Sequence, residues 1–324
     1  MEIKENKYHK ICIIGAGRVG TALAFLINNE SRRNKSAGFK LAAVCSRTRL
    51  SIERAKEFIK EKETGTEFEK KVSGILFSTD NIKGVGKSDV IFICTPDDTI
   101  YKVAEEIALS DEKSGNLING KIFIHFSGAK PLKVLDPVKQ KGGRIASIHP
   151  VKSFASVSQS VKTIKKTYYG VTFPENCPDE LHRFIKNFID VFKGKIIEVP
   201  DSKKTVYHAA ACVASNYLVS LIDYAIRINE KIGIKPEDSL AGLTGLIEGT
   251  VLNIKKLGTK NALTGPIARG DTGTVKEHMD SFKKYFDKKD YEIYRLMGAE
   301  TARIAFENKW ISRQAMEKFL EILS

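Results

Sequence analysis

Near the start of the chain runs Lys10-Ile11-Cys12-Ile13-Ile14-Gly15-Ala16-Gly17-Arg18-Val19-Gly20, and no other stretch constrains the fold as much. A short apolar run ends at Gly15, and an alanine-rich helical pattern, Thr21-Ala22-Leu23-Ala24-Phe25-Leu26-Ile27, begins after Gly20. A strand that turns through G-x-G-x-x-G straight into a helix gives that motif its meaning. Gly15 permits the tight turn, Gly17 lets phosphates approach the backbone, and Gly20 lets helix and strand pack closely. The helix start then offers unpaired N–H groups and partial positive charge. Gly15, Ala16, Gly17, Arg18, Val19 and Gly20 therefore read as a cradle for the pyrophosphate of a dinucleotide.

The second strand, Phe39–Cys45, says which one. Ser46-Arg47-Thr48 follows it. An acidic residue here would accept hydrogen bonds from the ribose 2′-hydroxyl of NAD, whereas an arginine favours the 2′-phosphate of NADP. Arg47 can pair with that phosphate or stack on adenine, and Ser46 and Thr48 can donate hydroxyl hydrogens to it. NADP(H) is the expected cofactor. The plainer reading of Arg47 is a solvated residue opening the helix Leu50–Lys60. The polar segment Asn29–Gly38 reads as a loop insertion, which widens the usual interval between the glycines and the second strand.

A chain of 324 residues suggests two domains. No uninterrupted apolar run reaches the roughly 18 residues of a membrane span, so no membrane is expected. The early apolar stretch is broken by Arg18 and lacks a small-residue cleavage site, unlike a signal peptide. Five cysteines without a CxxC pair argue for a reducing, cytoplasmic setting and against zinc. Cys12, Cys45 and Cys94 fall inside strands, as small buried hydrophobes. The net charge of +14 raises nucleic acid as a partner. The lysines, however, are interleaved with acids along Lys56–Lys62 and Lys283–Lys289, and no aromatic-interleaved basic stripe occurs. No nucleic acid is expected; a positive field also attracts NADP and an anionic substrate.

After the second strand the pattern reads helix (Ser51–Lys62), strand (Gly74–Phe77), strand (Asp89–Cys94), helix (Ile100–Leu109) and strand (Lys121–Phe126). It continues with helix (Pro131–Lys141), strand (Arg144–Ile148), strand (Tyr168–Phe173), helix (Pro178–Phe192) and strand (Lys195–Val199). Strands alternating with helices imply a mostly parallel, doubly wound sheet. From about Asp201 the strands stop. Lys204–Lys231 is a long helix, apolar almost all round, which belongs in a bundle or a subunit interface. Helices at Pro236–Leu257, Thr274–Phe286, Tyr291–Asn308 and Ser312–Leu323 follow. The expectation is an α/β dinucleotide-binding domain over 1–200 and an all-α domain for substrate binding and dimerisation over 201–324.

Ligands of open α/β sheets sit beyond the carboxyl ends of the strands. Thr95, Pro96 and Asp97 end the fourth strand, where the ribose and nicotinamide would pass; the plainer reading of the Asp97 and Asp98 side chains is a cap on the next helix. His125-Phe126-Ser127 and His149-Pro150 end two further strands, placing Ser127 and His149 beside a substrate. Lys204, His208 and Asn216, spaced by four and eight residues, share one face of an otherwise apolar helix. Leu263-Thr264-Gly265-Pro266-Ile267-Ala268-Arg269-Gly270-Asp271 interrupts the helices with a turn carrying Arg269 and Asp271. An Arg–Asp pair fixing the turn is the plainer reading there.

These pieces together resemble the DUF2520 or Rossmann-like proteins of the 6-phosphogluconate dehydrogenase-like superfamily, described as NADP- or F420-dependent oxidoreductases. Gly15–Gly20, Ser46-Arg47, Cys94–Asp97, His125–Ala129, His149-Pro150, Tyr207-His208 through Ser215-Asn216, and Leu263–Asp271 carry the resemblance over nearly the whole chain. It implies a Rossmann domain, a helical dimerisation domain and an active site in the cleft between them. Some members resemble a second type of ketopantoate reductase, reducing 2-dehydropantoate with NADPH. In the better-known ketopantoate reductases a helix lysine protonates the carbonyl oxygen, and Lys204 matches it. His208 stands where an asparagine would be expected. Prephenate dehydrogenases carry a similar Gly-Ser-x-Lys turn and His-Pro pair, but Ser127-Gly128-Ala129-Lys130 is out of register with that turn.

The expected activity is thus NADP-dependent reduction of a small anionic 2-oxo compound, ketopantoate first, by a homodimer. Lys204 would protonate the developing alkoxide while His208 and Asn216 orient it. Ser127 and His149 would position the substrate, with Thr264, Arg269 and Asp271 on its carboxylate side. A pyrroline-carboxylate-reductase-like enzyme and a non-catalytic NADP-binding protein are the alternatives.

Overall fold

The computed structural model describes residues 8–34, 36–61 and 74–324. The chain divides into two compact units, Met1–Tyr217 and Leu218–Ser324.

The first unit is built on eight strands: β1 (His9–Ile14), β2 (Phe39–Cys45), β3 (Leu76–Ser78), β4 (Val90–Ile93), β5 (Ile122–His125), β6 (Arg144–Pro150), β7 (Tyr168–Thr172) and β8 (Lys195–Glu198). They lie in the order β3-β2-β1-β4-β5-β6-β7-β8, all neighbours parallel except β6 with β7. Unbroken apolar runs such as Ile91-Phe92-Ile93 make this arrangement possible, because a parallel sheet is covered on both faces. Alternate residues feed two separate cores. Ile11, Ile13, Phe92, Ile122 and Ile124 join one layer. Cys12, Ile14, Ile91, Ile93 and Phe123 join the other. Helix Asp179–Val191 closes the first layer with Leu181, Phe184, Ile185, Phe188 and Ile189, an apolar stripe at helical spacing. β1 is flanked by β2 on one side and β4 on the other, so the direction of winding reverses at its end. That reversal opens the crevice where a ligand sits in such sheets.

Several expected boundaries shift. Half of Asn29–Gly38 is not a loop: the first helix runs Arg18–Arg33, with Asn28 and Glu30 buried and Arg32 and Arg33 in a last turn that favours cations. The expected helix Pro131–Lys141 is a 3-10 turn, Leu132–Leu135, followed by the short helix Asp136–Lys139. Pro137, lacking an N–H, prevents one continuous ladder. Short helices at Asn81–Gly86 and Val157–Thr163, capped by Asp80 and Ser156, were not anticipated. The helix expected over Ser51–Lys62 spans Arg49–Glu61; Lys62 lies outside the described residues.

The run expected as one helix over Lys204–Lys231 is α-helical over Lys204–Cys212, π-helical over Val213–Tyr217 and α-helical again over Leu218–Lys231. The division between units falls in this run at Tyr217, beyond the boundary expected at 200, because its first turns pack into the sheet unit. Within the chain the run is not enclosed as expected: Val206 is 70% and Val219 68% exposed. Within Asp201–Lys231 an 18-residue window has mean hydropathy 1.4, so the helix is long and apolar enough to cross a membrane by length and composition only.

The second unit is helical throughout its described elements: Leu218–Lys231, Pro236–Ala262, Thr272–Tyr285, Lys288–Glu307 and Arg313–Ile322. Val275, Met279, Ala302, Ala305 and Phe319 form its core. Helix Pro236–Ala262 is broken at Gly258, whose φ of 75° departs from helical geometry.

Candidate active site

The glycine turn has the geometry its sequence predicts. Gly15 takes φ 105°, its N–H donates to Cys45 O at 2.8 Å, and a Cβ there would sit 2.7 Å from the carbonyl carbon of Cys94. At Gly20 a Cβ would lie 1.9 Å from Gly15 O, so only glycine lets this helix start so near β1. At Gly17 nothing lies within 4 Å. No side chain caps the helix Arg18–Arg33, and its first turn holds no acid. The leading N–H groups of this helix thus have no side-chain cap, and the open space at Gly17 leaves room beside them for a pyrophosphate. Ala16 O accepts from Thr21 Oγ1, tying the turn to the helix.

Beyond β2, Ser46 N–H donates to Ser78 O at 3.2 Å, fixing this loop to β3. Arg47 is exposed and, among the described residues, forms no ion pair. Thr48 does local work instead: its hydroxyl accepts from Ser51 N–H and donates to Ser51 Oγ at 2.8 Å, opening helix Arg49–Glu61. At the end of β4 the Thr95 hydroxyl is buried without a protein partner, Pro96 is exposed, and Asp97 Oδ2 accepts from Ser127 Oγ at 2.7 Å. Neither Asp97 nor Asp98 caps the following helix with its side chain; Asp98 pairs with Lys130 at 3.0 Å.

The polar centre lies at the ends of β5 and β6. Lys204 is 1% exposed, and its Nζ donates to Ser127 O at 3.2 Å and Ser147 Oγ at 2.6 Å. Burial lowers its pKa to about 8, although Asp201 and Asp97 pull the other way. His149 Nδ1 and Tyr207 Oη lie 3.1 Å apart, and the rings of His149 and His208 lie 5.7 Å apart. Burial, then the fields of His208 and Lys204, push the His149 pKa down to about 4, so this imidazole is neutral. His125 is fully buried, accepts Ser127 N–H at Nδ1, and leaves Nε2 without a partner. Burial and Lys204 hold its pKa near about 3. Burial raises the Tyr207 phenol. The cluster sets one buried ammonium beside the neutral imidazoles of His125 and His149.

The structure sorts the expected residues. It brings Lys204, His149 and His208 together. The Ser127 hydroxyl, expected to touch substrate, is instead saturated, donating to Asp97 and accepting from the Ala129 and Lys130 N–H groups. What Ser127 gives the site is its carbonyl, through Lys204. His149 is inside β6, paired with Gly170, rather than past its end. Asn216 is exposed in the π-helical turn, so the eight-residue spacing from His208 is not a continuous α-helical face. Thr264, Arg269 and Asp271 belong to the second unit. There Asp271 caps helix Thr272–Tyr285, accepting from Thr274 N–H at 3.0 Å and Thr274 Oγ1 at 2.8 Å, while Arg269 is exposed. Its carboxylate serves the backbone rather than a substrate. Sequence reasoning missed Ser147 and gave Tyr207, though part of the family motif, no role of its own. Ser147 sits two residues before His149 and so shares its face of β6, a signal that period-2 reading could have caught.

Residues 2–150 match the family model of a Rossmann-like domain, and residues 172–301 match that of DUF2520, a domain of unknown function. Comparison with curated proteins finds no match. Among solved structures the chain is similar to protein TM1727 of Thermotoga maritima, at 24% identity and TM-score 0.65, covering 92% of this chain and 99% of that one. It is similar to protein BF3122 of Bacteroides fragilis, provisionally named an NADP oxidoreductase, at 19% identity and TM-score 0.63, covering 92% and 100%. It is also similar to the Plasmodium falciparum pyrroline carboxylate reductase with NADP bound, at 16% identity and TM-score 0.55, covering 98% and 99%. At these identities the likeness is one of fold.

Proposed function

The chain joins a Rossmann-like domain to a DUF2520 domain, and from that premise we propose that it is an NADP-dependent reductase of a small anionic substrate. The observation that carries the reading is the buried Lys204 ammonium, held by Ser127 and Ser147 at the carboxyl ends of β5 and β6. The open glycine turn ends β1 at the same edge of the sheet. The exposed Arg47 guanidinium, with no acid in its place, supports NADP over NAD. When bound, NADPH supplies a hydride to an electrophilic carbon.

The chain's own residues must then meet the negative charge that develops on the attached heteroatom, and protonate it. Lys204 commits two of its three N–H groups to Ser127 and Ser147; the third is assigned to the substrate. With a pKa of about 8, Lys204 is charged at neutral pH yet gives up a proton more readily than an ordinary lysine. The neutral His149–Tyr207 pair and His208 orient the substrate beside it. Ser127, through Asp97, holds the β4 and β5 loops in register.

Ketopantoate is the leading substrate, because Lys204 matches the position of the ketopantoate reductase lysine. A cyclic imine is the second reading, favoured by the fold likeness to a pyrroline carboxylate reductase. The exposed apolar side chains along Val206–Val219 support a homodimer as the working form.

The test is NADPH oxidation by the purified protein against a panel of 2-oxo acids and cyclic imines. With the substrate so found, Lys204→Ala should lower kcat by roughly 10²–10⁴-fold with NADPH affinity intact, while Lys203→Ala should be nearly silent. Full kcat in Lys204→Ala together with loss in His149→Ala would move the proton donor to β6 and favour a prephenate-dehydrogenase-like enzyme. NADPH binding with no turnover on any substrate would leave a non-catalytic dinucleotide-binding protein.

A further inference from the structure

At the opposite end of the sheet, a cavity of about 800 Å³ lies at the amino ends of β1, β2, β4 and β5. We propose that this cavity is a second binding site, for a phosphate-bearing small anion, separate from the dinucleotide cradle. Among the described residues its walls carry the cations Lys10, Lys40, Lys87 and Lys121 and one carboxylate, Asp89. That carboxylate already accepts the Lys10 backbone N–H at 2.9 Å. Among the described residues, none of the four lysines forms an ion pair. Lys121, the least exposed of them, donates to Val85 O at 2.6 Å, which uses one of its three N–H groups.

Converging cations repel, and a merely solvated cluster would spread them over the surface. A second observation points to a ligand. Asn28 and Ser88, 6% and 3% exposed, sit in the wall of the same cavity. The Asn28 amide nitrogen and the Ser88 hydroxyl have no hydrogen-bond partner. A buried donor left unpaired is unfavourable, and both lie just behind the wall, where a phosphate oxygen is a suitable acceptor once the wall gives enough to expose them. The volume falls within the roughly 300–1,000 Å³ typical of small-molecule sites. β1 runs from Lys10 at the cavity to Ile14 below the glycine turn; at about 3.3 Å per residue, one compact ligand cannot span both ends.

Calorimetric titration of the full chain with inorganic pyrophosphate tests this, with and without saturating NADPH. Under saturating NADPH, which fills the glycine cradle, pyrophosphate should still bind saturably at one site per chain, in wild type and in Arg47→Ala; without NADPH the cradle can take a further pyrophosphate. Lys40→Glu/Lys87→Glu should weaken it at least about tenfold, and the remote reversal Lys288→Glu/Lys318→Glu by less than about twofold. Asn28→Leu/Ser88→Ala, checked for folding by circular dichroism, should weaken it several-fold without any change of charge. The proposal is overturned if no saturable binding occurs, if NADPH or Arg47→Ala abolishes it, or if the remote reversal weakens it as much as the local one.

Discussion

Replacing Lys204 by methionine should change how the stability of the sheet unit depends on pH. The ammonium is 1% exposed and its pKa is lowered from 10.5 to about 8, chiefly because burial penalises the charged form. Below pH 8 both the folded and the unfolded chain carry the proton, so the penalty is fully present. Between pH 8 and 10.5 the folded chain loses the proton first. The unfolded state then binds more protons, and stability rises with pH. At about 1.36 kcal/mol per pKa unit, the shift corresponds to roughly 3 kcal/mol. Methionine has no such titration. Other buried groups, including Lys121 and the thiols, are shared by both proteins and cancel in the difference.

The measurement is urea unfolding of wild type and Lys204→Met at pH 7, 8, 9 and 10, followed by far-ultraviolet circular dichroism. Trp310, the only tryptophan, lies in the second unit, so its fluorescence follows that unit separately. The gap between the two proteins should move in favour of wild type by up to roughly 3 kcal/mol on going from pH 7 to pH 10. At pH 7 the variant loses two hydrogen bonds but escapes the burial of a charge, so the sign of the gap there is not the test. A gap constant within about 0.5 kcal/mol over that range would refute the assignment of a depressed pKa to Lys204.

Gly20→Ala should destabilise the sheet unit by more than about 3 kcal/mol, because its Cβ would fall 1.9 Å from Gly15 O. Gly17→Ala meets open space and should melt like wild type while binding NADPH more weakly; equal melting of the two variants would contradict the close approach at Gly20. Arg47→Ala should cost roughly 1.5–3 kcal/mol for NADPH and little for NADH in titration calorimetry, and equal losses would show that Arg47 does not read the 2′-phosphate. Light scattering at micromolar concentration should give a dimer, burying more than about 2,000 Å² through the exposed apolar helix faces, and a monomer would defeat that reading. The imidazole resonances of His149, held neutral by burial to a pKa of about 4, should not titrate between pH 5.5 and 8 in nuclear magnetic resonance; a midpoint near 6.5 would contradict its enclosure.

The parallel sheet was legible because both its faces are buried, which turns each strand into an unbroken apolar run. The glycine turn was legible because each glycine answers to a different steric demand. Helix ends were less so. Nothing local marks Asn29–Arg33 as helix, since its support comes from burial of Asn28 and Glu30 against the rest of the unit. At the polar centre, spacing found Lys204 and His208 but extended the face to Asn216, because a π-helical turn leaves no clear mark in sequence. Ser127 and Asp271 were picked out as substrate contacts, yet both spend their oxygens on loops and helix starts. Ser147 drew no attention, and Tyr207 was given no role of its own, because their importance lies in what they meet across the fold.

Two glycines set the order in which this site can evolve. A Cβ on Gly128 would come within 2.6 Å of His208 Cδ2 and 3.0 Å of His149 Cε1; one on Gly170 would come within 2.3 Å of Tyr207 Oη. Three rings therefore occupy volume that a methyl group would claim in their absence. A lineage drifting toward another substrate must shorten a ring first and fill the glycine afterwards. Tyr207→Leu opens room for Gly170→Ala, whereas Gly170→Ala alone displaces the phenol. The same two substitutions are thus tolerated in one order and damaging in the other, so ancestry as well as chemistry decides which neighbouring activities this scaffold can reach.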